Sequence, residues 1–327
     1  MTSRRARRRP PVESHPHPAA LPSQMKTDNL LNIAYPLISG PEDEHSWMCY
    51  LSAVTARHFH PGAGIFCICD DRTRDFLQGT SHPLCRAATI VSLGDLGVDR
   101  HLASRRAKFR AHRIVGGPCI ELDADTVFLN PVEGFFPASH QVAICRDQVD
   151  AREMGRWLDP VFRDLGWAPL AEYFNSGVLF FGKDFAKTDF FQRWEDAYLK
   201  FVTPRRRNDQ PALAHVVKES DCHLVTLPQR YNFPAYLAEK GRNRACILHF
   251  WASDRMAYSS SRYASIVRLL RRNHEMSPAK IMRLLRSRRP LFFGNHLHRH
   301  METGDVAGFA MLAAHKLARR IRSNTRR

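Results

Sequence analysis

The feature that most constrains this chain is a succession of short, near-continuous apolar runs separated by stretches with helical spacing. LLNIAYPLIS, GIFCICDD, AATIVSL and CIELDADTVFL follow one another, and QVAICRD, YFNSGVLFFG, CHLVTLPQRYNFPAY and ACILHFWAS come later. Strands that are apolar on both sides must be covered on both sides, which a mostly parallel sheet wrapped in helices achieves. The intervening segments fit that role. HSWMCYLSAVTARHF places Trp47, Leu51, Val54 and Phe59 at helical spacing, SRRAKFRAHRIV is helical, and FFQRWEDAYLKFV sets Phe191, Trp194, Tyr198 and Phe201 three or four residues apart. NDQPALAHVVKE is a short helix behind an N-cap region. The expected class is therefore α/β, with a mixed, mostly parallel sheet flanked by helices.

Charge divides the chain into three. Residues 1–26 carry six Lys+Arg against one Glu, and residues 255–327 carry seventeen against three acids. Of the net +17, the body at 27–254 therefore holds −2. The first 28 residues, rich in Arg, Pro and His, read as a disordered arm, and they lack the apolar segment of a secretory signal. Residues 29–255 form the expected ordered body, and 256–327 a basic helical C-terminal region. In that region RYASIVRLLRRN, SPAKIMRLLRSRRP and GDVAGFAMLAAHKLARRIRS are amphipathic, with Ser277 as a cap and Pro278 at the first helical position of the second. No apolar run approaches the ~20 residues of a membrane span. The eight cysteines include no Cys-x-x-Cys pair, which argues against structural zinc. Their apolar settings read as buried free thiols suited to a reducing cytoplasm.

The chemistry centres on CIELDADTVFLN. Ligands in open α/β sheets gather at the carboxyl ends of strands. On extended backbone, Asp123 and Asp125 point the same way, so both carboxylates can face one point. Two acids facing one point repel unless a cation lies between them, and hard oxygen ligands suit Mg²⁺ or Mn²⁺. An ordinary turn with two solvated acids is the alternative. His249, at the end of ACILHFWAS, is either a core histidine or a third ligand. Arg106 and Lys108, upstream on a helix leading to the same strand, are either a solvated basic face or cations for a diphosphate. Asn175 opens an Asn-Ser-Gly triplet that can bring an amide and bare backbone to a ligand, or simply turn the chain. Asp209 and Gln210 stand at a helix start, where Asp209 can be a cap.

Taken in order, Arg-x-Lys, Asp-x-Asp-Thr, Phe-Asn-Ser-Gly-Val, Asp-Gln, Leu-Pro-x-x-Tyr-Asn and Leu-His-Phe resemble the glycosyltransferases with the GT-A fold. The likeness is to glycosyltransferase family 8, which includes glycogenin and bacterial lipooligosaccharide galactosyltransferases, and it runs from about Asn29 to Arg255. The resemblance implies a nucleotide-diphospho-sugar transferase fold and a retaining hexosyltransferase that uses a UDP-sugar and Mn²⁺ or Mg²⁺. It implies that Asp123, Asp125 and His249 hold the metal, with Asp123 also at the donor. Arg106 and Lys108 would contact the donor sugar or its phosphates, and Asn175 would line the sugar pocket. Asp209 and Gln210 would lie beside the anomeric carbon. Where the family usually has Gly and then Lys after the histidine, this chain has Ala252 and Arg255, so Arg255 stands as a substitute cation. The acid that usually ends the family's first strand has no counterpart directly after LLNIAYPLIS.

A nucleotidyltransferase is a second reading, although LISGPEDE, with one glycine, makes a poor phosphate loop. In a haloacid-dehalogenase-type phosphatase the Asp-x-Asp would follow the first strand, whereas here it comes late. A non-catalytic protein of the same fold, docking through its basic ends, is the third. The expected acceptor is a saccharide or lipid-linked hydroxyl. The basic C-terminus suits anionic lipid at ~1 kcal/mol per cation, which would make the protein peripheral on the inner face of a membrane. Nucleic acid ranks lower, because few aromatics interleave with the arginines there.

Overall fold

The computed structural model describes residues 31–133, 136–148, 151–219, 223–235, 242–250, 261–274 and 276–287, with residue 310. The N-terminal arm, Cys222, Arg255 and nearly all of the last amphipathic segment lie outside the described residues.

The apolar runs become a seven-stranded sheet. Its strands are β1 (Asn32–Pro36), β2 (Gly64–Cys69), β3 (Thr89–Ser92), β4 (Cys119–Leu122), β6 (Gln141–Arg146), β7 (Phe174–Phe181) and β8 (His223–Thr226), in the order β3-β2-β1-β4-β7-β6-β8. Only β7 runs against its neighbours, pairing antiparallel with both β4 and β6; every other pairing is parallel. The mostly parallel sheet expected from the sequence is present.

Both faces are covered, which is why the strands are apolar throughout. On one face Ile33, Tyr35, Ile120 and Leu122 pack with α1 (His45–Phe59) and with two C-terminal helices, α8 (Arg262–Asn273) and α9 (Pro278–Arg286). On the other, Ala34, Cys119, Leu179 and Phe181 pack against α4 (Arg100–Ala111), α6 (Phe190–Phe201) and α7 (Gln210–Glu219). Successive residues of β1 and β4 thus serve opposite cores, as the two-residue period of a strand requires.

Three helices went unread in the sequence: α2 (Asp71–Gly79), α3 (Leu84–Ala87) and α5 (Ala151–Asp164). Asp70, the first of the two acids ending GIFCICDD, is the cap of α2 and accepts from the Thr73 N–H at 2.8 Å. Helix α5 contains Pro160, a residue that ordinarily argues against a helix interior.

Of the two C-terminal caps, Ser277 is as expected and Ser261 was not read from the sequence. Ser261 accepts from Ala264 N–H at 3.1 Å, and Ser277 from Lys280 N–H at 3.3 Å. Tyr263, Val267, Leu270, Ile281 and Leu285 are buried in the same core as α1. The apolar stripes of α8 and α9 are therefore used internally, and Arg271, Arg272, Lys280 and Arg283 face outward. The seven described cysteines are free, six of them buried. Among the described residues no helix is long and apolar enough to cross a membrane.

Candidate functional site

CIELDADTVFL reads as one strand, but the structure breaks it in two. β4 ends at Leu122, a turn follows, and β5 (Thr126–Phe128) joins a second sheet, in the order β5-β10-β9, with β10 (Ile247–His249) and β9 (Phe233–Pro234). The two carboxylates lie in this break. A continuous strand would have carried Asp123 and Asp125 into an apolar sheet at a cost of several kcal/mol each. The turn instead leaves their side chains 31% and 15% exposed. Its backbone is tied down on several sides. Asp123 N–H donates to Gly177 O at 2.9 Å, Thr126 Oγ1 donates to Asp123 O at 2.9 Å, and Phe250 N–H donates to Asp125 O at 2.9 Å. From α8, Tyr263 OH donates to Ala124 O at 3.4 Å.

Antiparallel pairing of β10 with β5 sets His249 opposite Thr126 and so returns the imidazole to the turn. His249 Nε2 lies 3.2 Å from Asp125 Oδ1 and 3.9 Å from Asp123 Oδ2. One ligand atom from each of the three residues lies within 4.8 Å of the others. Oxygen and nitrogen ligands around a small divalent ion, at ~2.1 Å from it, stand about 3 Å apart when adjacent and about 4.2 Å when opposed. The two separations from His249, 3.2 and 3.9 Å, fall in that range. The ring is seated on β7: a Cβ on Gly177 would fall 2.1 Å from His249 Cε1. Glycine is needed there for space.

Beside the turn is a buried set of charges. Lys108 Nζ donates to Asp123 Oδ1 at 2.8 Å and to Ser176 Oγ at 3.2 Å, and lies 3.7 Å from Asp209 Oδ2. Ser176 Oγ donates to Asp209 Oδ2 at 3.0 Å, and Arg105 Nη1 lies 3.4 Å from Asp209 Oδ1. Burial disfavours the Lys108 ammonium, but Asp123 and Asp209 outweigh it, and the Lys108 pKa rises above the ordinary lysine value. Burial likewise opposes the Asp209 carboxylate, and Arg105 and Lys108 overcome it, so its pKa falls. Glu121, on β4 beneath this set, is 1% exposed with neither carboxyl oxygen hydrogen-bonded. Burial pushes its pKa up to about 8, against the pull of Lys108, so it is largely the neutral acid at pH 7.

The structure brings together Lys108, Asp123, Asp125, Asp209 and His249. Arg106 points elsewhere: its Nη1 donates to Leu96 O at 3.1 Å and its Nε lies 3.8 Å from Glu195. Arg105, one residue earlier, is the cation that faces Asp209. Asn175 and Gln210 share an acceptor, since Asn175 Nδ2 and Gln210 Nε2 donate to Asp147 Oδ2 at 3.1 and 2.9 Å. Gln210 Oε1 accepts from Asn208 Nδ2 at 2.8 Å and from Tyr173 OH at 3.4 Å. Arg105, Asp147, Ser176 and Asn232 went unassigned in the sequence. Asp147 had a signal as the acid closing the QVAICRD strand, and Asn232 as the last residue of the Leu-Pro-x-x-Tyr-Asn run.

No family model matches the chain, and no curated protein does. Among solved structures it is similar to mouse xyloside xylosyltransferase 1, with 11% identity, a TM-score of 0.44, and coverage of 70% of this chain and 99% of that one. It is similar to the WbbM bifunctional glycosyltransferase, with 12% identity, a TM-score of 0.44, and coverage of 70% and 47%. A third is the glycosyltransferase GlyE of Streptococcus pneumoniae TIGR4, with 14% identity, a TM-score of 0.46, and coverage of 78% and 63%. At this level of likeness, the function must be read from the geometry of the site.

Proposed function

We propose that the protein is a metal-dependent glycosyltransferase of GT-A type that transfers a hexose from a UDP-sugar to a saccharide or lipid-linked hydroxyl, with retention. The observation that carries this is the meeting of Asp123, Asp125 and His249 at the carboxyl end of β4, with a buried lysine on one of the two acids. Two carboxylates and an imidazole suit Mn²⁺ better than Mg²⁺, which favours oxygen and water. When bound, the ion supplies Lewis-acid stabilisation of a departing diphosphate.

The chain's own groups supply the rest. Lys108 brings a preorganised positive charge to the side of Asp123 that faces away from His249, and a fixed charge in a dry site needs no reorganisation as negative charge develops. Asp209, held ionised between Lys108 and Arg105, faces the positive charge that builds on a sugar ring. Gln210, oriented by Asp147 and Asn208, offers an amide to position donor or acceptor. Asn175 lines the same wall. Arg255 remains a proposed contact to the donor phosphates, whereas Arg106, turned to Leu96 O and Glu195, is not kept among them.

We take the catalytic unit to be residues 29–255, with α8 and α9 packed onto it. The outward Arg271, Arg272, Lys280 and Arg283 would meet anionic lipid, and the enzyme would then work at the inner face of a membrane, in the reducing compartment that suits its free thiols. The test is hydrolysis of a panel of nucleotide-sugars with and without Mn²⁺. Metal-dependent release of UDP from one or a few donors, lost in Asp125→Ala, is expected. Turnover indifferent to both metal and substitution would refute the proposal.

A further inference from the structure

A histidine binds a metal through a ring nitrogen only when that nitrogen carries no proton. His249 faces the carboxylate pair through Nε2, 3.2 Å from Asp125 Oδ1, so an ion held there requires the ring proton to lie on Nδ1. Nδ1 lies 3.0 Å from Asn232 Oδ1. That contact accepts a proton only if the Asn232 amide points its oxygen, and not its nitrogen, at the ring. Amide orientation is set by partners, and the partners can be followed to the end of the line.

Asn232 Nδ2 donates to Asn175 Oδ1 at 2.8 Å. Asn175 is fixed from two sides. Its Oδ1 also accepts the Gly177 N–H at 3.0 Å, and a backbone N–H can only donate. Its Nδ2 donates to Asp147 Oδ2 at 3.1 Å, and a carboxylate can only accept. Turning Asn175 over would set nitrogen against N–H and oxygen against carboxylate at once. With Asn175 held, Asn232 must give it an N–H, and its oxygen is left for His249. Asn232, Asn175 and His249 are 2%, 7% and 4% exposed, so water has little room to supply a missing partner.

We propose that Asn232 is a positioning residue that fixes the ring tautomer of His249, and that Asp147 and the Gly177 N–H set the direction of the relay through Asn175. This rests on the reading of Asp123, Asp125 and His249 as a metal site. It gives the Leu-Pro-x-x-Tyr-Asn run a task, namely to present a bare nitrogen to the ion. It also makes Asn175 a link in the relay, because its oxygen already takes two donors and its nitrogen gives one hydrogen bond to Asp147.

Two measurements test the proposal without any sugar donor. Two-bond ¹H–¹⁵N spectra of the metal-free protein, labelled at histidine and recorded at pH 8.5, should place the His249 proton on Nδ1. Binding of Mn²⁺ alone, followed by the electron paramagnetic resonance of the free ion, should weaken about tenfold to a hundredfold in Asn232→Leu, the range typical of such supporting partners.

A proton on Nε2 in the parent protein, or parental Mn²⁺ binding by a folded Asn232→Leu, would overturn the relay. If Asn232→Leu does not fold, the parental spectrum decides alone. Mn²⁺ binding with the proton on Nδ1 but no turnover of any nucleotide-sugar would leave the relay standing and reject the transferase.

Discussion

The imidazole of His249 rests on the bare Cα of Gly177, so closely that a methyl group there would sit 2.1 Å from Cε1. Gly177→Ala must therefore push the ring away from the turn. His249 is 4% exposed and held by Asn232, so it cannot swing aside freely. The expected result is loss of at least tenfold in Mn²⁺ affinity, with stability lowered by about 1–3 kcal/mol through overpacking. Titration calorimetry with Mn²⁺ and a urea melt check the two parts separately.

Lys108 is the hinge of the charge network, with its ammonium between Asp123 and Asp209. Removing one partner of a buried ion set leaves the others uncompensated, at about 3–5 kcal/mol. Lys108→Met should lower stability by that order, and Asp209→Asn in the same chain should recover part of it. A double-mutant cycle by urea denaturation is the measurement. Purely additive losses would show that the two groups do not couple.

The helices α8 and α9 share a core with α1. Leu270→Ala or Leu285→Ala should therefore cost about 2–5 kcal/mol, as at any buried leucine. A urea midpoint unchanged by either substitution would contradict that packing. The same packing recommends charge substitutions at Arg272, Lys280 and Arg283 as the test of lipid binding, since cutting the chain at 254 would strip a core wall.

Two buried histidines set a pH window. Burial first, then Arg113, pushes the His112 pKa down to about 4, and burial first, then His274, does the same to His82. Both rings are neutral in the folded chain, while the unfolded chain binds protons below ~6.5. Their share of stability is complete above about pH 6.5 and is lost as pH falls toward 4. Urea midpoints should drop across that interval, and His112→Phe, which keeps the ring stacked on Phe191 at 3.9 Å, should flatten the drop. A slope unchanged by the substitution would remove His112 as its cause.

Much of this was legible because burial writes itself into composition. Apolar runs on both strand faces dictated a sheet covered on both sides, and the order of the polar motifs located Lys108, Asp123, Asp125, Asp209 and His249 in the sequence before the fold brought them together. What stayed hidden depended on three-dimensional phase. Arg105 and Lys108 are three residues apart on α4 and share the face toward Asp209. Arg106 and Arg110, four apart, share the face toward Glu195. The helical period separates the two pairs, and the motif Arg-x-Lys obscures it. The break in CIELDADTVFL was hidden because β5 is as apolar as β4 and only pairing with β10 assigns it elsewhere. The C-terminal helices looked like an extension because their exposed charges dominate the composition, although Tyr263, Ile266, Val267 and Leu270 keep the spacing of a packed face.

The most direct test of the central claim is anomalous diffraction from crystals grown with Mn²⁺ and UDP, recorded at the manganese edge. One strong peak within bonding distance of an oxygen of Asp123, an oxygen of Asp125 and Nε2 of His249, and touching the diphosphate, is the expected result. Bound nucleotide with no peak at that turn, or a peak held by other residues, would contradict it.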